Sequence, residues 1–422
     1  MQLPIRPSVL HVIFSRRMLV AFVMGFAGGL PLLLTMGILQ AWMMEAGIGL
    51  TWIGMITLVQ IPYTWKFLWA PFLDRFTPPF LGRRRGWLFT AQIALMASIA
   101  GLGFSDPVKN PWMMIMAAIL VAFFSATQDI VIDAYRREDL PDEELGLGSS
   151  MYIYGYRLGM LLASGGGMIL ADHLSFPRVY LIMSLCLLPG VVTTLLTPEP
   201  SVNVDLPRSM KEAMVNPLID YFKRSGALWI LAFILLYKIG DTMASAITTP
   251  FYLEIGFSKT EIGAVVKLFG TAATMTGALF GGLLLLKMGI NRGLWVFGVL
   301  QALSTACFAI LARIGYNISM LAGVIGFENL SSGMGTAAFV AFMASITNKK
   351  FTATQYALLT SLIGLPRALA SSVTGLIAKN IGWEGFFIGC TLIAIPGMLL
   401  LLKFAPWNSP VPAETGTSHT LE

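Results

Sequence analysis

Charge is scarce in this chain. Of its 422 residues only 12% are Asp, Glu, Lys or Arg, 56% are hydrophobic, and the mean hydropathy is +0.74. A soluble domain carries about 25% charged residues, so a water-soluble globule is excluded and an integral membrane protein remains. Histidine and cysteine are almost as rare. His11, His173 and His419 all fall outside the apolar runs, which leaves no intramembrane imidazole to hold a metal or relay a proton. Cys186, Cys307 and Cys390 sit in apolar runs without framework spacing and read as inert thiols. No CxxC, HExxH or Walker A sequence occurs, so neither a metal centre nor ATP hydrolysis is indicated. A secretory signal is not expected, because the run from Met18 is too long for a signal-peptide core.

What is abundant is apolar length. A span needs about 20 apolar residues. Twelve runs qualify, at 18–44, 51–73, 86–104, 111–134, 149–171, 178–196, 228–253, 261–286, 292–313, 318–346, 352–378 and 384–404. The longest break, Thr197 to Ala227, is polar and Pro-rich and splits the runs six and six. The expected fold is therefore all-α: an N-terminal six-helix bundle (1–196), a cytoplasmic linker (197–227), a C-terminal six-helix bundle (228–404) and a polar cytoplasmic tail (405–422). Most of the 28 basic residues fall in the N-terminus and every second loop, so both termini are expected in the cytoplasm. That bias accounts for most of the +6 net charge without a nucleic-acid partner.

The halves resemble each other. TWIG at Thr51 matches TEIG at Thr260, RGWL at Arg85 matches RGLW at Arg292, and Arg157 matches Arg367. Three matches in order at nearly one offset argue for a parallel repeat, which places a substrate site between two bundles near the midplane.

Nine charges remain inside the runs: Lys66, Arg157, Lys238, Lys267, Arg367, Asp129, Asp133, Asp241 and Glu328. A carboxylate at the bilayer centre costs about 2.5–3.5 kcal/mol on insertion scales, so such groups face a cavity or a partner. Asp129 and Asp133 share one helical face. At 1.5 Å rise per residue, Lys66, Asp129 and Arg157 lie at similar depth, roughly 10 Å from the cytoplasmic end. Asp129 and Arg157 are expected to act as one unit. Lys238 and Glu328 both fall near mid-span and are expected to meet, either as a coupling pair or as a static strut. Asp129, Glu328 and Asp241 are the proton-coupling candidates, since a porter without ATPase motifs needs a downhill ion and no membrane His is present. Asp133, beside Arg136 and Arg137, reads as a gate residue. The glycines of GFAGGLP and LASGGG permit close helix approach or local unwinding.

APFLDRFTPPFLGRRRG, between the second and third runs, resembles the Asp-Arg…Gly-Arg-Arg loop of the major facilitator superfamily (MFS). That resemblance implies a gating role for Asp74, Arg75, Arg83, Arg84 and Arg85. Along the whole chain, GFAGGLPLLLT, KFLWAPFLDRFTPPFLGRRRGWL, SATQDIVIDAYRREDLP, YGYRLGMLL, LYKIGD, FENLSSGMGTAAFVAFM and FTATQYALL look like the AmpG-type muropeptide permeases of that superfamily. The resemblance implies the twelve-helix MFS fold, in the bacterial inner membrane. It implies import of N-acetylglucosaminyl-anhydro-N-acetylmuramyl peptides for cell-wall recycling, feeding β-lactamase induction and driven by the proton gradient, with no other cofactor. Some members carry additional C-terminal membrane helices, while this chain ends at its twelfth run, so a related single-component siderophore permease is the alternative.

For a substrate with a sugar face and an anionic peptide, Gln60, Tyr63, Gln128, Tyr154, Tyr156 and Asn329 suit the hydroxyls. Lys66, Arg157, Lys238 and Arg367 suit carboxylates. The chain is expected to work as a monomer in the lipid bilayer. An intramembrane aspartyl protease fits poorly, because Gly240-Asp241 is preceded by Lys238-Ile239 and so lacks the Gly-x-Gly-Asp pattern, and Asp129 and Asp133 share a helix.

Overall fold

The computed structural model describes residues 12–201, 207, 209–224, 226–362 and 364–407, without the side chains of 50, 51, 54 and 363–372. Among the described residues every ordered element is helical. Each of the twelve apolar runs forms helix, though seldom an unbroken one. α1 is Arg16–Glu45. α2 runs from Leu50–Met55 to Ala70–Arg75, interrupted by 3₁₀ turns at Ile56–Gln60 and Lys66–Leu68. Pro62 and Pro71, which lack the backbone N–H, begin its short α pieces. α3 is Arg83–Gly103 and α4 is Pro111–Asp139. α5 joins Leu145–Leu161 to Gly167–His173 through a π turn at Leu162–Gly166. α6 is Phe176–Leu196. The polar linker itself contains a helix, Met210–Lys223.

α7 is Ala227–Glu254. Lys259–Ile314 holds two columns, α8 and α9, parted at Gly289 with φ 78°. α10 is Ile318–Ser345. α11 begins at Thr352 and is parted from α12, which ends at Phe404, by Gly382 with φ 73°. Seven of the described helices are by themselves long and apolar enough to cross a membrane, eight if Ile318–Ser345 and Lys349–Leu362, bent by 96°, count as one span. The twelve expected runs exceed that number because α2 and α5 are broken by short turns and because longer helices hold two runs each. Large apolar side chains such as Trp112, Phe104 and Leu196 stand exposed, as a lipid-facing surface requires.

The chain packs as two compact units. The first comprises Met1–Pro141, Met151–Pro217 and Lys349–Leu358; the second comprises Asp142–Ser150, Leu218–Asn348 and Leu359–Glu422. In the first unit, Leu30, Leu95, Ile99, Val121, Tyr180 and Met183 belong to the core. α1 and α5 touch backbone to backbone there. A Cβ at Gly25 or Gly29 would overlap the carbonyl oxygens of Tyr152 and Tyr156, and one at Gly155 or Gly159 those of Phe22 and Phe26. Glycines four apart on both helices thus form the crossing, the close-approach use of GFAGGLP. In the second unit the core is aromatic: Phe251, Phe308 and Phe387 pack with Trp383.

Candidate functional site

Three clusters of polar side chains stand out, two in the first unit and one in the second.

The first is built on the loop between α2 and α3. Arg84 is fully buried and its Nη2 reaches Asp74 at 2.8 Å and Glu138 at 2.7 Å. Arg84 Nε also donates to both Glu138 oxygens, and Arg83 Nη2 donates to Glu138 Oε1 at 3.0 Å. Asp74 further accepts from the backbone N–H of Ala353 (3.3 Å) and Thr354 (2.8 Å) and from Thr354 Oγ1 (2.7 Å), so it caps the first turn of α11. Arg85 faces elsewhere: it donates to the last carbonyls of α6, Thr194 O and Leu195 O, at 2.9 and 2.7 Å. Glu199 returns the arrangement by accepting from the N–H groups of Arg84 and Arg85 at the start of α3, at 2.6 and 2.9 Å. Orphan donors and orphan carbonyls of two helix ends are thereby satisfied reciprocally. Arg75 lies over the Phe76 ring at 5.3 Å. Glu138, Glu199 and Thr354 were missed by sequence reasoning. The only signal for them was an acid beside YRR and another in TPEP.

The second cluster surrounds Asp129 on α4, where Asp129, Asp133 and Lys66 are all buried. Gly28 of α1 leaves room for it: a Cβ there would lie 3.1 Å from Asp129 Oδ1 and 3.6 Å from both Tyr152 Oη and Tyr156 Cδ2. Ser125 lies one turn before Asp129 on the same face. Two buried atoms here accept no hydrogen bond among the described residues, Gln128 Oε1 and Asp129 Oδ1, while the Tyr63 and Ser125 hydroxyls face each other. Gln128 Nε2 donates to Ala27 O at 2.9 Å, and Gln60 Nε2 to Thr35 Oγ1 at 2.9 Å.

The expected Asp129–Arg157 unit does not form. The charged side chains acting on Asp129 are Lys66 and Asp133, and Arg157 is exposed. The reason is helical phase: Tyr152 and Tyr156, four apart, occupy the face of α5 that meets Asp129, and the next residue, Arg157, is turned about 100° away. Tyr154 likewise turns aside, its ring 6.1 Å from Phe22. Asp133 pairs with Arg136 at 3.0 Å, and Arg136 donates to Tyr356 Oη at 2.9 Å while lying over the Tyr152 ring at 4.7 Å.

The third cluster lies where α7 breaks. Lys238 has φ −102° between Ala227–Leu236 and Ile239–Ala246. Its Nζ pairs with Asp241 at 3.4 Å and donates to Thr336 Oγ1 of α10 at 3.2 Å. Glu328 of α10 faces both Asp241 and Lys238. Lys238 therefore takes its ion pair within its own helix, and Glu328 joins as the second carboxyl of a triad. Asn329 accepts from Thr274 Oγ1 at 2.8 Å and donates to Ile325 O. Lys267 is exposed in the π-helical stretch Ile262–Phe269. The Arg367 side chain lies outside the described residues.

Known proteins place this architecture. The profile of the Major Facilitator Superfamily matches residues 18–371 and 239–420. The anhydromuropeptide permease of Escherichia coli (strain K12) is 43% identical over 395 residues, covering 93% of this chain and 80% of that protein. An uncharacterized protein of Haemophilus influenzae is 41% identical over 411 residues, covering 94% and 97%. A putative transporter, AmpG 1, of Rickettsia bellii is 30% identical over 402 residues, covering 92% and 98%. Among solved structures, the proton:xylose symporter XylE bound to 6-bromo-6-deoxy-D-glucose matches with a TM-score of 0.66 at 13% identity, over 93% of this chain and 95% of that one. The human organic anion transporter MFSD10 matches with a TM-score of 0.64 at 15% identity, over 94% and 100%. At such identities the two structures speak to the fold alone. With the family profile and the full-length relatives in agreement, the chain belongs to the Major Facilitator Superfamily.

Proposed function

We propose that this chain is a proton-coupled permease of the bacterial inner membrane. It imports N-acetylglucosaminyl-anhydro-N-acetylmuramyl peptides for cell-wall recycling and so supplies the signal for β-lactamase induction. The observation that carries this reading is the 43% identity, across 93% of the chain, to a protein named anhydromuropeptide permease. It acts as a porter rather than an enzyme, as a monomer in the bilayer with both termini in the cytoplasm.

The site chemistry supports the reading. Buried polar groups are as a rule hydrogen-bonded, so the unpartnered Gln128 Oε1 and Asp129 Oδ1 have capacity for a hydroxyl-rich or amide-bearing ligand. Lys66 and Lys238 supply the cationic groups that an anionic peptide stem requires. Asp129, Asp241 and Glu328 supply the carboxyls for protons. A ligand carboxylate that captures Lys238 would release Asp241 and Glu328 from it, which links anion binding to proton uptake at one triad. The gate network of Asp74, Arg84 and Glu138 sets which helix ends are tied.

A ferric siderophore is the competing substrate class. Equilibrium binding to purified protein in detergent separates the two. Labelled anhydro-muropeptide should bind and be displaced by unlabelled anhydro-muropeptide but not by ferric siderophore. Saturable siderophore binding with no muropeptide binding would overturn the assignment.

A further inference from the structure

The linker helix Met210–Lys223 has three faces where a helix packed on a protein in water has two. Ala213, Pro217 and Tyr221, four apart, are buried. Glu212, Asn216 and Asp220 form a polar face, and Asp220 is tied to Arg224 at 3.0 Å and to Asn348 at 3.2 Å. Between them runs an apolar face that nothing among the described residues covers: Met210, Met214, Leu218 and Phe222 at every fourth position, widened by Val215 and Ile219, all exposed.

Chain geometry says where this face lies. The helix ends at Lys223 and α7 begins at Ala227, with Gly226 in the left-handed conformation at φ 85° turning the corner. At most ~3.6 Å per residue is available, so the helix is held against the mouth of a membrane-crossing column. The first turn of α7 presents exposed Leu228 and Trp229, with Lys403 Nζ 4.3 Å over the Trp229 ring. An indole with a lysine at the end of an apolar column is the signature of the membrane–water interface. Lys211 and Lys223 are both exposed, Lys211 projecting from the apolar face itself, where its stem can lie along the acyl boundary with the ammonium among headgroups.

We propose that Met210–Lys223 is an interfacial helix that docks on the surface of the bilayer, with Met214, Leu218 and Phe222 in the acyl boundary and Lys211 on anionic lipid headgroups. This inference rests on the membrane placement of α6 and α7 and is independent of the substrate.

The test uses the full chain in vesicles of phosphatidylcholine with phosphatidylglycerol, its three cysteines changed to serine. A nitroxide is attached at Leu218→Cys or at Asn216→Cys. The Leu218 site should relax strongly with oxygen and weakly with a water-soluble nickel chelate, and the Asn216 site should do the reverse. The oxygen preference at Leu218 should weaken in pure phosphatidylcholine or after Lys211→Gln. Equal exposure of both sites to the nickel chelate would overturn the proposal. Strong spin–spin broadening at Leu218 that vanishes on dilution with unlabelled protein would overturn it in favour of a second copy of the chain.

Discussion

Thr354 donates twice to Asp74, from its backbone N–H at 2.8 Å and its hydroxyl at 2.7 Å. The same carboxylate receives Arg84 at 2.8 Å, so one acid ties the start of α3 to the start of α11. Both acids that hold Arg84 are themselves buried, and removing one member of a buried pair commonly costs about 3–5 kcal/mol. Arg84→Met should be the worst change in this network, because it leaves Asp74 with no cation and Glu138 with Arg83 alone. Asp74→Asn should cost less, because Arg84 keeps Glu138. Melting temperatures in detergent check the order, and a milder Arg84→Met would count against it.

Arg85 and Glu199 should govern rate and stability without touching affinity. Each satisfies a helix end, and losing a cap costs roughly 0.5–2 kcal/mol. Arg85→Gln or Glu199→Gln should lower transport rate or expression and leave the ligand dissociation constant nearly unchanged. A large loss of equilibrium affinity would place them at the substrate instead.

The crossing of α1 and α5 has no room for a methyl group. Gly25→Ala and Gly29→Ala should abolish well-folded protein, since the added carbon meets backbone carbonyls that cannot rotate away. Gly37→Ala, a little further along α1, has nothing within 4 Å and should be silent. Size-exclusion profiles of the three variants decide the matter; similar behaviour of all three would refute the close crossing.

Asp129→Asn should fold nearly as well as the parent, because Asp129 Oδ1 accepts no protein hydrogen bond among the described residues. It should nonetheless lose accumulation driven by a pH gradient. Glu328→Gln should retain ligand exchange and lose accumulation if the Lys238 triad couples the proton. If Glu328→Gln accumulates substrate with the parent's pH dependence, the triad is a strut and Asp129 carries the proton.

Much of this was legible in the sequence, and the rest was not for reasons of geometry. Apolar run length located the twelve helices because a bilayer leaves backbone groups no partner but themselves. The loop from Asp74 to Arg85 was legible as a motif. Its partners were not, because Thr354 and Glu199 lie far along the chain and carry no local pattern. Depth along a helix put Asp129 and Arg157 at one level. It could not say that Tyr156, not Arg157, holds the facing side, since depth fixes height and not azimuth. The same shortcoming favoured Lys238 with Glu328, when Asp241, one turn on, was nearer to hand. The π turn of α1 at Leu34–Ile38 and the 3₁₀ turns of α2 were invisible, since those backbones use the same residues as an α-helix, whereas the π turn of α5 falls on the LASGG glycines that permit local unwinding.

The central claim is uphill, proton-driven import of a muropeptide, and one measurement meets it directly. Purified protein is reconstituted in vesicles, and labelled anhydro-muropeptide uptake is followed with and without an inward proton gradient, beside a labelled ferric siderophore. The account predicts accumulation of the muropeptide above its external concentration only with the gradient, collapse on adding a protonophore, and no siderophore uptake. Accumulation unaffected by the protonophore, or uptake of the siderophore in place of the muropeptide, would contradict it.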